Sequence, residues 1–399
     1  MANICILGGG FIGRFYAESL CGRRSKDSVK VVYSRKEATA SRFAKDYNVP
    51  HFCTDMEDAI AHAESEFVVI ALPNYLHEDA VMLCVKHKKA VLCTKPLGRT
   101  AEEALRMTLA CEKAGIFAGY LEDLCYTPKF LKSVKSVEEG AIGRILWAKS
   151  RETHPGPHAE WFWDIEKAGG GAVLDLGCHC IEIARNFIGK DVLPVEVMCW
   201  ADTQVKPIDA EDHAIGLVKY ENGAIGQFEV SWTFRGGMDL RDEVMGTEGT
   251  IWVNSFLRTG FEMFTSGNST NYVAEKAETN VGWQFPVGDE AHELGYPTMF
   301  NDMFDAYENG TQPRETFYDG YVVNAIIDAA YKSAKTKLWE PIQLPEWRGQ
   351  RGLSKPSVYQ SYDEKHWLIK AEILPNGDQK IILKDKASGE ISEINQLAS

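Results

Sequence analysis

Residues 3–22 read NICILGGGFIGRFYAESLCG. Asn3 to Leu7 is a short apolar run, long enough for a buried parallel strand and too short for a helix. It runs straight into Gly8, Gly10 and Gly13 in G-x-G-x-x-G spacing, with Phe11 and Ile12 filling the last gap. Glycines there let the chain turn tightly and approach a pyrophosphate, which then sits on the positive end of the next helix. The apolar spacing from Phe11 supplies that helix, ending at Gly22. Strand before and helix after separate a dinucleotide turn from a merely glycine-rich one.

The same alternation continues outward. VKVVYS, FVVIALP, AVLCTKP and IFAGYL read as strands, and KEATASRFAKDY, LHEDAVMLCVKHK and TAEEALRMTLACEKAG as the helices between them. Strands alternating with helices imply a parallel sheet covered on both faces. The expectation is an α/β chain with an N-terminal Rossmann dinucleotide-binding domain over residues 1–121. After residue 121 the pattern changes to sheet. GRILWAKSRETH, LPVEVMCWADT and DEVMGTEGTIWVNS resemble strands, and HAIGLVKYENGAIGQFEVSWTF is a hairpin turning at Asn222-Gly223. Residues 122–345 therefore read as a C-terminal α+β domain with an open, mostly antiparallel sheet. One long helix is expected at 169–189, with others at about 297–309 and 319–336. The extension 346–399 reads as a β-hairpin around Pro375-Asn376-Gly377.

A chain of 399 residues exceeds the usual single core, consistent with this division. Hydrophobic residues make up 45% and charged residues 25%, an ordinary soluble balance. A net charge of -14 with no basic run argues against nucleic-acid or anionic-membrane partners. No stretch approaches the ~20 apolar residues of a spanning helix, and the first residues lack the basic-then-apolar pattern of a signal peptide. The ten cysteines are scattered in apolar surroundings, as reduced thiols of a cytoplasmic protein would be.

Several polar groups stand where ligands would meet them. Ser34 and Arg35 end the second strand, where an acid would bind the ribose 2′-hydroxyl and an arginine accommodates a 2′-phosphate. NAD and NADP both stay open. Pro73, Asn74 and His77 follow the third strand, and Lys95 and Pro96 the fourth. A lysine before proline is held out of helix, so its ammonium can enter the crevice; a surface turn is the plain alternative. In GGGAVLDLGCHCIEIARNFIG (169–189), Asp175 and His179 are four apart and share a helix face. Such a pair is either a carboxylate orienting a general base or a buried structural couple. Cys178 and Cys180 point to different sides of a helix, and no zinc spacing is present, so no metal is expected. The loop RETHPGPHAEWFWD gathers His154, His158, Trp161 and Trp163, which suits a polyhydroxylated substrate or simply caps the sheet. A His154/His158 metal pair is the less favoured reading.

Together these residues resemble the glucose-fructose oxidoreductase, inositol dehydrogenase and rhizopine-catabolism (Gfo/Idh/MocA) family. The resemblance spans about residues 2–340. It rests on GGGFIG, PNYLH, TKPLG, GGGAVLDLGCH, EDHAIGLVKYENGAIGQFEVSW and GTEGTI. It implies a nicotinamide cofactor, NAD or NADP, contacting Gly8, Gly10, Phe11, Ile12, Gly13, Ser34, Arg35, Pro73, Asn74, His77, Lys95 and Pro96. It implies Lys95, Asp175 and His179 as catalytic residues, with His179 the base oriented by Asp175 and Lys95 steadying the reacting oxygen. These three, with Tyr126, His154, His158 and Trp161, would hold the substrate. A homo-oligomer formed through the C-terminal sheet is also implied, and the extension is expected at an interface.

The expected activity is hydride transfer between nicotinamide and a secondary hydroxyl of a sugar, glycoside or cyclitol, in its sharper form glycoside C3 oxidation to a 3-keto sugar. The alternatives are an NAD-dependent glycosidase or lyase with transient oxidation, and a non-catalytic NAD(P)-sensing regulator. Two departures from the family stand out: Thr94 replaces the usual Glu before Lys-Pro, and YLEDLCYTPKF lacks the usual Asn and Arg.

Overall fold

The computed structural model describes residues 2–21, 26–257, 261–266, 274–279, 281–355 and 359–396. Gly22, the expected end of the first helix, lies outside the described residues; the helix itself spans Phe11–Leu20. The chain divides into two compact units, Met1–Arg351 and Gly352–Ser399.

In the first unit, strands β1 (Asn3–Leu7), β2 (Ser28–Tyr33), β3 (His51–Cys53), β4 (Phe67–Ile70), β5 (Ala90–Thr94) and β6 (Ala118–Leu121) form one sheet. Its order is β3-β2-β1-β4-β5-β6 and every pairing is parallel. Strand order reverses beside β1, and ligands of such sheets bind outside the carboxyl ends at that reversal. Register sets what meets there. Leu7 pairs with Tyr33 and Ile70, Ile70 with Cys93, and Thr94 with Leu121. The next residues, Gly8, Ser34, Ala71, Lys95 and Glu122, therefore emerge along one edge. Residues 4–7, 68–70 and 91–93 are fully buried, as a sheet covered on both faces requires.

Part of that cover comes from far along the chain. Helix Tyr296–Asn309 lays Tyr296 and Phe300 edge-on against Tyr16, and Phe304 and Tyr307 against Phe67. Helix Phe317–Thr336 starts at a Thr316–Asp319 capping box. Its Asn324 side chain donates to the Gly98 carbonyl at 2.7 Å and faces the Gly98 amide at 3.3 Å. Asp328 accepts from the Ala101 amide. The turn that carries Lys95 is thus clamped on its far side.

The second sheet holds β7 (Ile145–Thr153), β8 (Pro194–Asp202), β9 (His213–Tyr220), β10 (Ile225–Ser231), β11 (Asp239–Gly246) and β12 (Thr250–Asn254). A short pair, β13 (Met263–Thr265) and β14 (Gly282–Gln284), stands apart, and β15 (Glu340–Pro341) edges the large sheet. The order is β12-β11-β7-β10-β9-β8-β15, antiparallel except where β7 meets β10. Helix Gly177–Ile188 packs on β7 and β10. The strands also present exposed Trp147, Trp200, Ile215, Met245 and Trp252.

The single helix expected at 169–189 is broken. It forms as Ala172–Asp175 and Gly177–Ile188, with Leu176 between them. In the second unit, β16 (Gln360–Ser361), β17 (His366–Ile373), β18 (Gln379–Asp385) and β19 (Ile391–Gln396) make an antiparallel sheet. The expected hairpin lies at its centre, turning through Gly377 at φ +90°, and gains a strand on each side. Among the described residues, no helix is long and apolar enough to cross a membrane.

Candidate active site

A cavity of about 490 Å³ opens at the carboxyl ends of β1, β4 and β5. Its cofactor end is shaped by glycine. Gly8 has φ +116°, and a Cβ there would lie 2.2 Å from the Ala71 carbonyl oxygen. A Cβ on Gly13 would lie 2.0 Å from the Gly8 carbonyl oxygen, so the helix can sit this close to the turn only with glycine. Gly10 faces open space. The helix it precedes has neither a side-chain cap nor an acidic residue in its first turn, so its positive end is left for an anion. Phe11, Ile12, Ser34, Arg35, Pro73 and Asn74 line the same space. A dinucleotide fits this donor set. Gly13, His77 and Pro96 lie outside the lining. His77 is fully buried, with Nε2 2.9 Å from the Leu72 carbonyl and Nδ1 near those of Pro96 and Leu97; it braces two strand ends.

Lys95 follows β5, and its peptide bond to Pro96 is cis. Its Nζ donates to Asp175 Oδ1 at 2.9 Å and to the Asp175 carbonyl at 2.8 Å. Trp232 Nε1 donates to the other carboxylate oxygen, Oδ2, at 3.1 Å. Burial alone would raise the Asp175 pKa, but Lys95, and His154 after it, hold it below the usual range. Burial likewise opposes the Lys95 charge, yet Asp175 keeps its pKa well above normal.

His179 is not oriented by Asp175, contrary to the expectation from their spacing. The helix breaks at Leu176, and Asp175 commits its two oxygens to Lys95 and Trp232. Glu122 takes that place: its Oε1 meets His179 Nδ1. Glu122 is fully buried at the end of β6. Burial, and then the Lys95 charge, push the His179 pKa down to about 3, while burial drives Glu122 up to about 8. Glu122 lies in the YLEDLCYTPKF turn, where the sequence motifs give it no role. The available signal was two adjacent acids at a strand end facing the crevice.

Of the remaining expected residues, His154, His158 and Trp161 line the cavity. His154 Nδ1 accepts from the Gly156 amide at 2.9 Å, and burial, with Lys276 nearby, pushes its pKa down to about 3. His158 lies 3.7 Å from Glu275 and packs its ring against Phe11. Trp161 stacks on Phe162, and Trp163 packs edge-on against Trp232. Tyr126 lies outside the cavity. Its hydroxyl donates to Asp302 at 2.7 Å and accepts from the Glu315 amide, so it holds the backbone together. Unforeseen in sequence, Asp123, Glu152, Glu275 and Lys276 also line the cavity. Lys276 pairs with Glu275 at 2.9 Å. Burial raises Asp123 to about 7 and Glu152 well above the carboxylate range.

Donor atoms of Glu122, Cys178 and His179 lie within 4.8 Å of one another. In this structure Glu122 meets Nδ1, and the Cys178 thiol donates to the Asp175 carbonyl. A second acidic cluster, Glu182, Glu315 and Asp319, is met by Arg185 and Lys190.

Fold and cavity together define a nicotinamide-dependent oxidoreductase. The chain belongs to the Gfo/Idh/MocA family. Residues 2–120 match the family's NAD-binding Rossmann fold and residues 130–252 its C-terminal domain. It is 26% identical to levoglucosan dehydrogenase of Pseudarthrobacter phenanthrenivorans, over 86% of this chain and 98% of that protein. A structure of levoglucosan dehydrogenase with NADH and levoglucosan superposes with TM-score 0.74 at 26% identity, covering 86% of this chain and all of that one. GenD2 from gentamicin A biosynthesis, solved with NAD, superposes with TM-score 0.81 at 28% identity, over 86% and 97% of the two chains. The scyllo-inositol 2-dehydrogenase (NAD(+)) of Bacillus subtilis is 22% identical over 87% of this chain and 98% of its own.

Proposed function

We propose that the protein oxidises a secondary hydroxyl of an uncharged sugar, glycoside or cyclitol, with NAD as the preferred partner. Carrying this reading is one observation: Lys95 and His179 line the same cavity that the glycine turn opens into. Bound NAD supplies the hydride acceptor. Lys95, kept cationic by Asp175, hydrogen-bonds the substrate oxygen as negative charge develops on it. His179 Nε2, the ring nitrogen without a protein partner among the described residues, takes the hydroxyl proton. Trp161 offers an apolar face to the ring, and His154 reaches its hydroxyls.

Charge narrows the substrate class. Lys95 and Lys276 are each paired with a carboxylate, while Asp123 and Glu152 face the cavity without a salt-bridge partner among the described residues. A carboxylated sugar would find both cavity lysines already neutralised, whereas a neutral polyol can hydrogen-bond Asp123 and the protonated Glu152. Within this class, glycoside C3 is the favoured position. Residues 1–121 and 122–345 serve as cofactor and substrate domains, the exposed tryptophans of the large sheet as the face between subunits, and the extension as an interface element. The ten cysteines are all free, which suits a reducing cytoplasm.

The test is incubation with NAD or NADP and a panel of levoglucosan, alkyl and aryl glucosides, inositols and uronates. Cofactor reduction with neutral members and a 3-keto product by NMR are expected. Reduction confined to the uronates, or none across the panel, refutes the assignment.

A further inference from the structure

We propose that Glu122 positions His179 and receives its proton, so that the two act as a relay within the dehydrogenase reaction described above. Before reaction the imidazole carries its proton on Nδ1, held by the Glu122 carboxylate. As the substrate O–H bond breaks, Nε2–H forms; the Nδ1–H bond breaks and the proton passes to Glu122 Oε1. His179 is neutral at both ends of the step, and the carboxylate has become a carboxylic acid. Reset follows when Nε2–H gives its proton to water and Nδ1 takes back the one on Glu122.

The geometry supports this in three ways. His179 is the one ion-pair partner of Glu122 among the described residues, and Glu122 Oε2 has no hydrogen-bond partner there. Asp175 cannot substitute, because Lys95 and Trp232 hold it. The third support is burial together with the surrounding charges. Lys95 opposes a second cation on His179, and Asp123 and Asp175 only partly offset it. Burial opposes an anion on Glu122; Lys95 favours one, and Glu182 opposes it. The remaining titratable neighbours, Tyr120, Cys125, Cys178, Cys180 and Glu152, are held protonated by burial. An imidazolium is therefore the costly state and a protonated Glu122 the accessible one.

Glu122→Gln keeps a carbonyl oxygen for Nδ1–H but cannot take its proton. Against the wild type it should keep KM for NAD and sugar and lose about 10²–10³-fold in kcat, the scale of proton-transfer catalysis. Oxidation by the wild type should rise with pH as the Glu122–His179 couple loses its shared proton. That rise should vanish in Glu122→Gln and return in Glu122→Asp. Independently of turnover, ¹⁵N NMR of His179 in cofactor-free wild-type protein should show the Nδ1–H tautomer on the alkaline side. An Nε2–H tautomer there overturns the proposal, as does a Glu122→Gln enzyme with wild-type kcat and pH profile. A wild type that reduces no NAD with any sugar refutes the dehydrogenase reading and the relay with it. An active wild type whose Glu122 variants behave normally refutes the relay alone.

Discussion

Lys95→Met removes the ammonium while keeping the length and apolar stem of the side chain. Among the described residues, Asp175 would then hold its charge with Trp232 as its one side-chain donor. Breaking a buried ion pair by deleting one member costs about 3–5 kcal/mol. The Lys95 side chain is 20% exposed and that of Asp175 9%, which places this pair near the lower bound. Unfolding entropy of about 2 cal/mol/K per residue, taken over the Met1–Arg351 unit, converts about 3 kcal/mol into a melting shift of about 4 °C.

The sign with pH follows from the two groups. Asp175 is depressed in the folded state, so its contribution is present above the ordinary carboxylate range and is lost as pH falls through the lowered value. Lys95 is raised, so its contribution is present below the ordinary lysine range and is lost as pH rises through the raised value. The gap between wild type and variant should be constant across neutral pH and narrow at both extremes. Calorimetric melts of cofactor-free protein across pH measure this directly. The double variant Lys95→Met/Asp175→Asn should recover most of the lost stability. It should keep the roughly 10²–10³-fold loss in kcat that follows removal of an oxyanion donor. A single variant melting within a degree of wild type at neutral pH, or a gap that widens in acid, would refute the reasoning.

Gly13→Ala puts a methyl 2.0 Å from the Gly8 carbonyl, backbone that cannot swing away. A destabilisation of about 1–3 kcal/mol and at least tenfold weaker NAD binding by titration are expected; unchanged binding would mean the turn is not the cofactor cradle. Tyr126→Phe strips a hydroxyl from Asp302 and the Glu315 amide. It should cost about 1 kcal/mol in melts and leave sugar KM unaltered, whereas a raised KM would return Tyr126 to the substrate site.

The alternating half of the chain was legible because its signals are local. Strand length, glycine spacing and helix periodicity each fit within a window of about fifteen residues, and the register of adjacent parallel strands then aligns their ends. What could not be read is what arrives from a distance. Nothing near Phe67 or Tyr16 announces that helix Tyr296–Asn309 will cover them, nor does Leu97-Gly98 announce Asn324. Tyr126 and His77 show the same limit in the site: each stands beside a motif, but its hydrogen bonds go to backbone or to Asp302.

Asp175 and His179 show where a periodicity argument fails. Four-residue spacing puts two side chains on one face only while the helix is continuous, and here Leu176 interrupts it. The break frees Asp175 to face Lys95, 80 residues earlier in the chain, and leaves His179 to a carboxylate 57 residues earlier. Asp175 thereby serves Lys95, and Glu122 takes over the orienting of His179 that was expected of Asp175. A carboxylate held by an ammonium and an indole cannot also take a proton from imidazole, because its ionised state is what keeps Lys95 charged. A carboxyl buried without a cation of its own can. The departure at YLEDLCYTPKF, which read as a loss of the family's usual Asn and Arg, supplies that second acid.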